Sequence, residues 1–210
     1  MKKKHIITLS GKPGSGKSST SDKVAELLGY TRYSSGEFVR SIVKKRRITL
    51  AEFNNMAASD HTLDDEIDEE LRKLRDQKDI VIDSRLGFYW IPESFKVYLD
   101  LDMDVATARI YKDAISNEGR SDGAGLAGSI MDVQKQVRSR LNNETRRFKS
   151  MYGVDPYKNT NFDLVINTAR HSPQTVALTV FDNYKKWLKS EEWKPVHSEV
   201  PMGYSFDNQY

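Results

Sequence analysis

Four short apolar runs punctuate an otherwise polar chain: Ile6-Ile7-Thr8-Leu9, Ile80-Val81-Ile82-Asp83, residues 95–101 and residues 162–167. Each has the length of a strand and is rich in β-branched or aromatic residues. Each is also apolar nearly throughout rather than at alternate positions. Such strands are buried on both faces, the habit of a parallel sheet covered by helices on each side. Between them the apolar residues recur at helical spacing. Residues 17–28 carry Val24, Leu27 and Leu28 as a stripe, with Gly29 placed to end the helix. Helical periodicity returns at 37–45, 50–58, 63–75, 105–115 and 130–152, and Ser172-Pro173 opens a last helix toward Leu188. Strands alternating with helices predict an α/β fold in three layers with a central parallel sheet. Residues 117–128 hold glycines at 119, 123, 125 and 128 and read as a flexible loop. Residues 190–210 show weak periodicity and read as a C-terminal tail.

The junction of the first strand and the first helix carries Gly11-Lys12-Pro13-Gly14-Ser15-Gly16-Lys17-Ser18, a match to G-x-x-x-x-G-K-[ST] in the context that motif requires. Its glycines let successive backbone N–H groups turn toward one anion, and the following helix adds the positive end of its dipole. Lys17 then reaches the β- and γ-phosphates of a nucleoside triphosphate, and the Ser18 hydroxyl can bind Mg²⁺. Asp83 closes the second apolar run at the carboxyl edge, where ligands of open α/β sheets bind, and an acid there can hold Mg²⁺ through water. Arg85 follows two residues later and can clamp a phosphate bidentately. Beyond the glycine-rich loop, Arg138, Arg140, Arg146 and Arg147 join Arg120 in a cluster suited to the charge that spreads during phosphoryl transfer. Arg140 and Arg147 are seven residues apart and share a helix face, with Glu144 between them. The same spacing also fits an exposed helix with ordinary surface pairs.

Composition narrows the field. In 210 residues, 33 Lys or Arg against 30 Asp or Glu leave a net charge of +3, without the basic excess of a dedicated nucleic-acid binder. The absence of Cys excludes disulfides and thiolate metal sites, and the four histidines (5, 61, 171, 197) show no zinc spacing. No apolar run approaches the ~20 residues that span a bilayer. Met1-Lys2-Lys3-Lys4 starts like a signal peptide, but the apolar stretch behind it is short and enters the glycine loop. The expectation is a cytoplasmic monomer with neither nucleic acid nor membrane as partner.

Taken together these segments resemble the nucleoside monophosphate kinases, and specifically the short cytidylate kinases of archaeal type. The resemblance rests on Ser10 to Ser19, on Ser34-Ser35-Gly36-Glu37-Phe38-Val39-Arg40 and on Ile82-Asp83-Ser84-Arg85-Leu86. It extends through Glu144-Thr145-Arg146-Arg147-Phe148-Lys149-Ser150-Met151-Tyr152-Gly153-Val154-Asp155 to residues 162–173. It implies a P-loop NTPase-type fold with a core (1–35, 78–115, 153–189), monophosphate-binding helices (36–77) and a lid (116–152). It implies ATP with Mg²⁺, held by Gly11, Lys12, Pro13, Gly14, Ser15, Gly16, Lys17, Ser18 and Ser19, with Arg109 against the adenine and the metal near Ser18 and Asp83. Ser35, Gly36, Arg40, Asp83 and Arg85 would face the acceptor nucleoside monophosphate, with both Arg40 and Arg85 on its phosphate. Arg140 and Arg147 would touch the transferring group, oriented by Glu144, so that Lys17, Arg85, Arg140 and Arg147 form the catalytic set. The chain departs from its relatives at Asp113 and Ser84, where arginine and glycine are usual. The function implied is transfer of the ATP γ-phosphoryl group to CMP or dCMP. The alternatives are another small-molecule kinase with AMP, UMP or a nucleoside as acceptor, or a nucleotide-binding regulatory protein.

Overall fold

The computed structural model describes residues 2–49, 52–53, 56, 62–116 and 129–198. Its sheet is parallel throughout, in the order β2 (Thr31–Ser34), β3 (Ile80–Asp83), β1 (Ile6–Gly11), β4 (Phe95–Asp100), β5 (Leu164–Asn167), β6 (Val196–Ser198). β1 (Ile6–Gly11) is buried at all six positions, as its unbroken apolar run requires of a central strand. β3 (Ile80–Asp83) and β4 (Phe95–Asp100) flank it. β2 (Thr31–Ser34) forms one edge, and β5 (Leu164–Asn167) continues the other side.

Pleating sends alternate side chains to opposite faces, and two hydrophobic layers follow. On one face Ile7, Leu9, Val81, Val97, Leu99 and Ile166 pack with Val24 and Ala25 of α1 (Lys17–Leu28). Val176, Val180, Tyr184 and Trp187 of α7 (Pro173–Lys189) complete that layer. On the other face Ile6, Ile80, Ile82, Tyr98 and Val165 meet Leu71 of α3 (Thr62–Leu74) and Phe88 of α4 (Gly87–Trp90). Phe148 of α6 (Ile130–Tyr152) joins them there. Further helices among the described residues are α2 (Ser35–Arg46), which begins directly where β2 ends, and α5 (Met103–Ser116).

The helix α6 runs unbroken for 23 residues because both its ends are built to hold it. Ser129 and Asp132 form a reciprocal capping box, and Gly153 closes the last turn in the left-handed region at φ 68. Three features depart from the sequence expectations. β2 and α4 are additional elements. The tail expected from residue 190 instead begins with a strand, β6 (Val196–Ser198), paired in parallel with β5. Trp193 anchors that segment: its Nε1 donates to the Asp163 carbonyl at 3.0 Å and its ring meets Phe95 edge-on at 5.9 Å. A three-residue strand is too short to show periodicity, and it forms because the edge of β5 would otherwise be open. The helix expected at 50–58 lies largely outside the described residues, although Glu52, Phe53 and Met56 are helical. The glycine-rich loop at 117–128 and the last twelve residues also lie outside them.

Candidate active site

The carboxyl ends of β1, β3 and β4 bring the predicted residues to one edge of the sheet. There the chain leaves β1 under Leu99 so closely that a Cβ on Gly11 would stand 2.4 Å from the Leu99 carbonyl oxygen. Gly14 adopts φ 74, which a side chain would resist. The loop is tied down from outside. Arg109 Nη1 donates to the Gly14 carbonyl at 3.4 Å, while its Nη2 donates to the Thr168 and Ala169 carbonyls at 2.8 and 3.1 Å. Thr168 Oγ1 donates to the Ser15 carbonyl at 3.2 Å. Arg109 therefore sits at the junction of the loop and the β5–α7 turn.

The loop fits an anion on three observations. Gly16, at the N-cap of α1, offers no side chain to the first-turn N–H groups. The Ser15 hydroxyl is buried and has no hydrogen-bond partner among the described residues. Lys17 has its ammonium within 3.4 Å of the Lys12 carbonyl oxygen. Burial, and then the Arg85 guanidinium, push its pKa down to about 7, against the raising effect of Asp83. The site is thus short of negative charge, as a triphosphate site should be. Lys12 turns elsewhere, to the Asp100 carboxylate at 2.7 Å and the Leu101 carbonyl at 3.1 Å. Pro13 is buried and Ser19 is exposed.

Ser18 Oγ donates to Asp83 Oδ2 at 2.8 Å, so the hydroxyl and carboxylate predicted to share a cation are already adjacent. Among the described residues no group of three or more His, Cys, Asp or Glu could hold a metal. The pair fits Mg²⁺, which keeps several waters and takes its other ligands from phosphates. Asp83 is braced on its far side by Arg32, whose Nη2 lies 3.7 Å from Oδ2. Arg32 also pairs with Asp22 at 3.1 Å and Glu37 at 2.6 Å. Sequence reasoning missed Arg32 because β2 was not recognised. The aromatic and β-branched run Tyr30-Thr31-Arg32-Tyr33 directly after Gly29 was the available signal.

Facing this edge is an arginine cluster built around one carboxylate. Glu144, in the C-terminal half of α6, accepts Arg140 Nε at 3.0 Å on Oε1 and Arg85 Nε at 3.0 Å on Oε2. The Tyr157 hydroxyl also donates to Oε2. Burial alone would raise the Glu144 pKa. Arg85, Arg140 and the Tyr157 hydrogen bond override it and hold the carboxyl well below the usual carboxylate range. Arg85 stays charged because Glu144 outweighs its own burial.

Arg147 does not belong to this arrangement. The resemblance implied that Glu144 orients both Arg140 and Arg147, but Glu144 holds Arg140 and Arg85. Arg147 Nε instead lies 3.4 Å from Asp64 Oδ2, and its guanidinium sits 5.0 Å from the Phe148 ring centroid. Asp64 is only 4 % exposed, and a carboxylate buried that far requires a cation close by. On the acceptor side, Ser35 Oγ donates to the Asp83 carbonyl at 3.3 Å. Arg40 folds back over the first turn of α2, where a Cβ on Gly36 would stand 3.5 Å from its Nη1. Arg138 and Arg146 are exposed, Asp113 is exposed on α5, and Arg120 lies outside the described residues.

This fold and this edge define the class first: a P-loop fold with a phosphate-binding loop at the carboxyl edge of a parallel sheet. Solved shikimate kinases share the fold. The one from Bacteroides thetaiotaomicron has a TM-score of 0.59 at 13 % identity, covering 88 % of this chain and 98 % of that one. The one from Acinetobacter baumannii, in complex with shikimate, gives 0.56 at 15 %, covering 90 % and 96 %. Sequence then gives the family. The model of the cytidylate kinase-like family matches residues 6–170, and the chain belongs to that family. A cytidylate kinase of Halobacterium salinarum is 35 % identical over 180 residues, which cover 84 % of this chain and 88 % of that protein. The cytidylate kinase of Aeropyrum pernix is 32 % identical over 179 residues, 85 % of this chain and 98 % of its own. An S-adenosylmethionine-dependent nucleotide dehydratase of Lacinutrix mariniflava is 34 % identical over 182 residues, which make up 36 % of its length. Among the described residues no helix is long and apolar enough to cross a membrane.

Proposed function

We propose that the chain transfers the γ-phosphoryl group of ATP to CMP or dCMP, giving the nucleoside diphosphate and ADP. One observation carries this reading: Glu144 holds Arg85 and Arg140 by their Nε atoms close to Lys17, which leaves the terminal nitrogens of Arg85 for an acceptor phosphate and those of Arg140 for the transferring group. A kinase whose acceptor is a neutral alcohol has no need of a second strong phosphate clamp. The names of the relatives support the same choice, since cytidylate kinases match over more than four-fifths of the chain. A similar segment within a nucleotide dehydratase is consistent with nucleotide chemistry.

In this reading Gly11 to Ser19 hold the triphosphate, with Lys17 on the β- and γ-phosphates. Mg²⁺, held by Ser18 and through water by Asp83, would neutralise phosphate charge. Ser35, Gly36 and Arg40 bind the acceptor, and Arg85 clamps its phosphate against the incoming group. The acceptor oxygen is already anionic, so positioning and charge neutralisation do the work without a strong general base. The acceptor side is residues 36–77, and residues 116–152 close over the donor. Lid closure excludes the water that would otherwise hydrolyse ATP. The protein works as a monomer on small molecules alone.

The test is ADP release from ATP and Mg²⁺ with no acceptor and with CMP, dCMP, AMP, UMP or a nucleoside. Strong stimulation by CMP or dCMP is expected. Stimulation confined to another acceptor would move the reading to that acceptor, and equal slow release with and without every acceptor would indicate a nucleotide-binding regulatory protein.

A further inference from the structure

The turn after α6 delivers one hydroxyl to the centre of the arginine cluster. The Asp155 carboxylate accepts the Tyr157 backbone N–H at 3.0 Å, and the Asp155 carbonyl accepts Asn161 Nδ2 at 2.8 Å. Lys149, in the last turn of α6, lies 3.2 Å from the same carboxylate. These ties fix the stretch that carries the Tyr157 hydroxyl inward. Its ring packs on the second hydrophobic layer, and its hydroxyl donates to Glu144 Oε2.

We propose that Tyr157 is a positioning residue for phosphoryl transfer, holding the plane of the Glu144 carboxylate so that Arg85 and Arg140 keep their terminal nitrogens on the phosphates. The inference rests on the kinase reading above. Arg140 reaches Glu144 from its own helix and Arg85 from the end of β3, and both are pulled toward phosphate as substrates bind. With only those two donors the carboxylate could turn with them, or swing toward the ammonium of Lys17. A third donor, from an element that carries no substrate contact, fixes the plane independently of what the arginines do. Burial pushes the Tyr157 hydroxyl well above its ordinary pKa, so it remains a donor throughout any assay range.

The test is a double-mutant cycle on the full chain with Tyr157→Phe, Glu144→Gln and the pair. Turnover is measured with ATP, Mg²⁺ and the best monophosphate of the wild-type panel. Tyr157→Phe should lower kcat by roughly ten- to a hundredfold, the range for losing a hydrogen bond to a charged group. ATP affinity, read by calorimetry, should stay within about twofold. In the Glu144→Gln background the same substitution should change kcat by less than about twofold, because no carboxylate remains to be held. If Glu144→Gln has no measurable turnover, the cycle is read on calorimetric binding of the monophosphate. Equal fold losses in both backgrounds would mean a packing role and overturn the inference. So would a Tyr157→Phe enzyme that matches an active wild type. A wild-type chain inactive on every monophosphate would instead overturn the parent reading.

Discussion

Binding of ATP should draw a proton from solvent, and Lys17 is the group that takes it. In the nucleotide-free protein, burial and the neighbouring Arg85 and Arg140 guanidinia leave this ammonium titrating at about 7 rather than 10.5. Near pH 8 about nine-tenths of the molecules therefore hold neutral Lys17, since a group one pH unit above its pKa is about 90 % deprotonated. A triphosphate in the loop reverses the balance, because its charge offsets both arginines and stabilises the ammonium. Uptake near pH 8 should thus approach ~0.9 proton per ATP bound. The sign for affinity follows: the protonated lysine is the binding form, so affinity falls as pH rises above about 7, by up to ~tenfold per pH unit. Calorimetric titration of ATP in buffers of differing ionisation enthalpy reads the proton number directly from the slope. Lys17→Met should abolish both the slope and most of the binding. A wild-type slope of zero near pH 8, with tight binding intact, would refute the reasoning about the charge-starved loop.

The other expectations concern the remaining parts of the edge. Arg85→Ala should raise the Michaelis constant for the acceptor about ten- to a hundredfold, since a bidentate guanidinium–phosphate contact contributes roughly 1.5–3 kcal/mol. Calorimetric ATP affinity should move little. Asp83→Asn should shift the Mg²⁺ dependence of turnover to higher concentration while leaving metal-free nucleotide binding nearly unchanged, because Asp83 acts on the cation beside Ser18. Gly14→Ala forces a Cβ into φ 74 and to 3.0 Å from the Ala106 carbonyl. It should cost ~1 kcal/mol or more of stability in denaturant titration, and weaken ATP binding further by displacing the loop.

The parts legible in the sequence were those whose signal is local. The phosphate loop shows itself because its glycines, lysine and serine act within eight residues, and the central strands because burial on both faces leaves an unbroken apolar run. Asp83 was readable as the acid that closes such a run, and it does meet Ser18. What escaped depends on partners distant in sequence. β6 exists because β5 has an open edge, and nothing in Val196-His197-Ser198 announces it. Arg147 fits a shared helix face with Arg140 by spacing, yet a buried aspartate 83 residues earlier claims it. Tyr157 carries no motif, and its role emerges only where the turn after α6 brings it under Glu144.

The central claim is transfer to an anionic monophosphate rather than to water, and phosphorus NMR of the reaction separates the two. With ATP, Mg²⁺ and CMP, the account predicts that CDP and ADP appear in equal amounts from the start, with inorganic phosphate a small minority. ADP matched by inorganic phosphate, with the CMP signal unchanged, would contradict it.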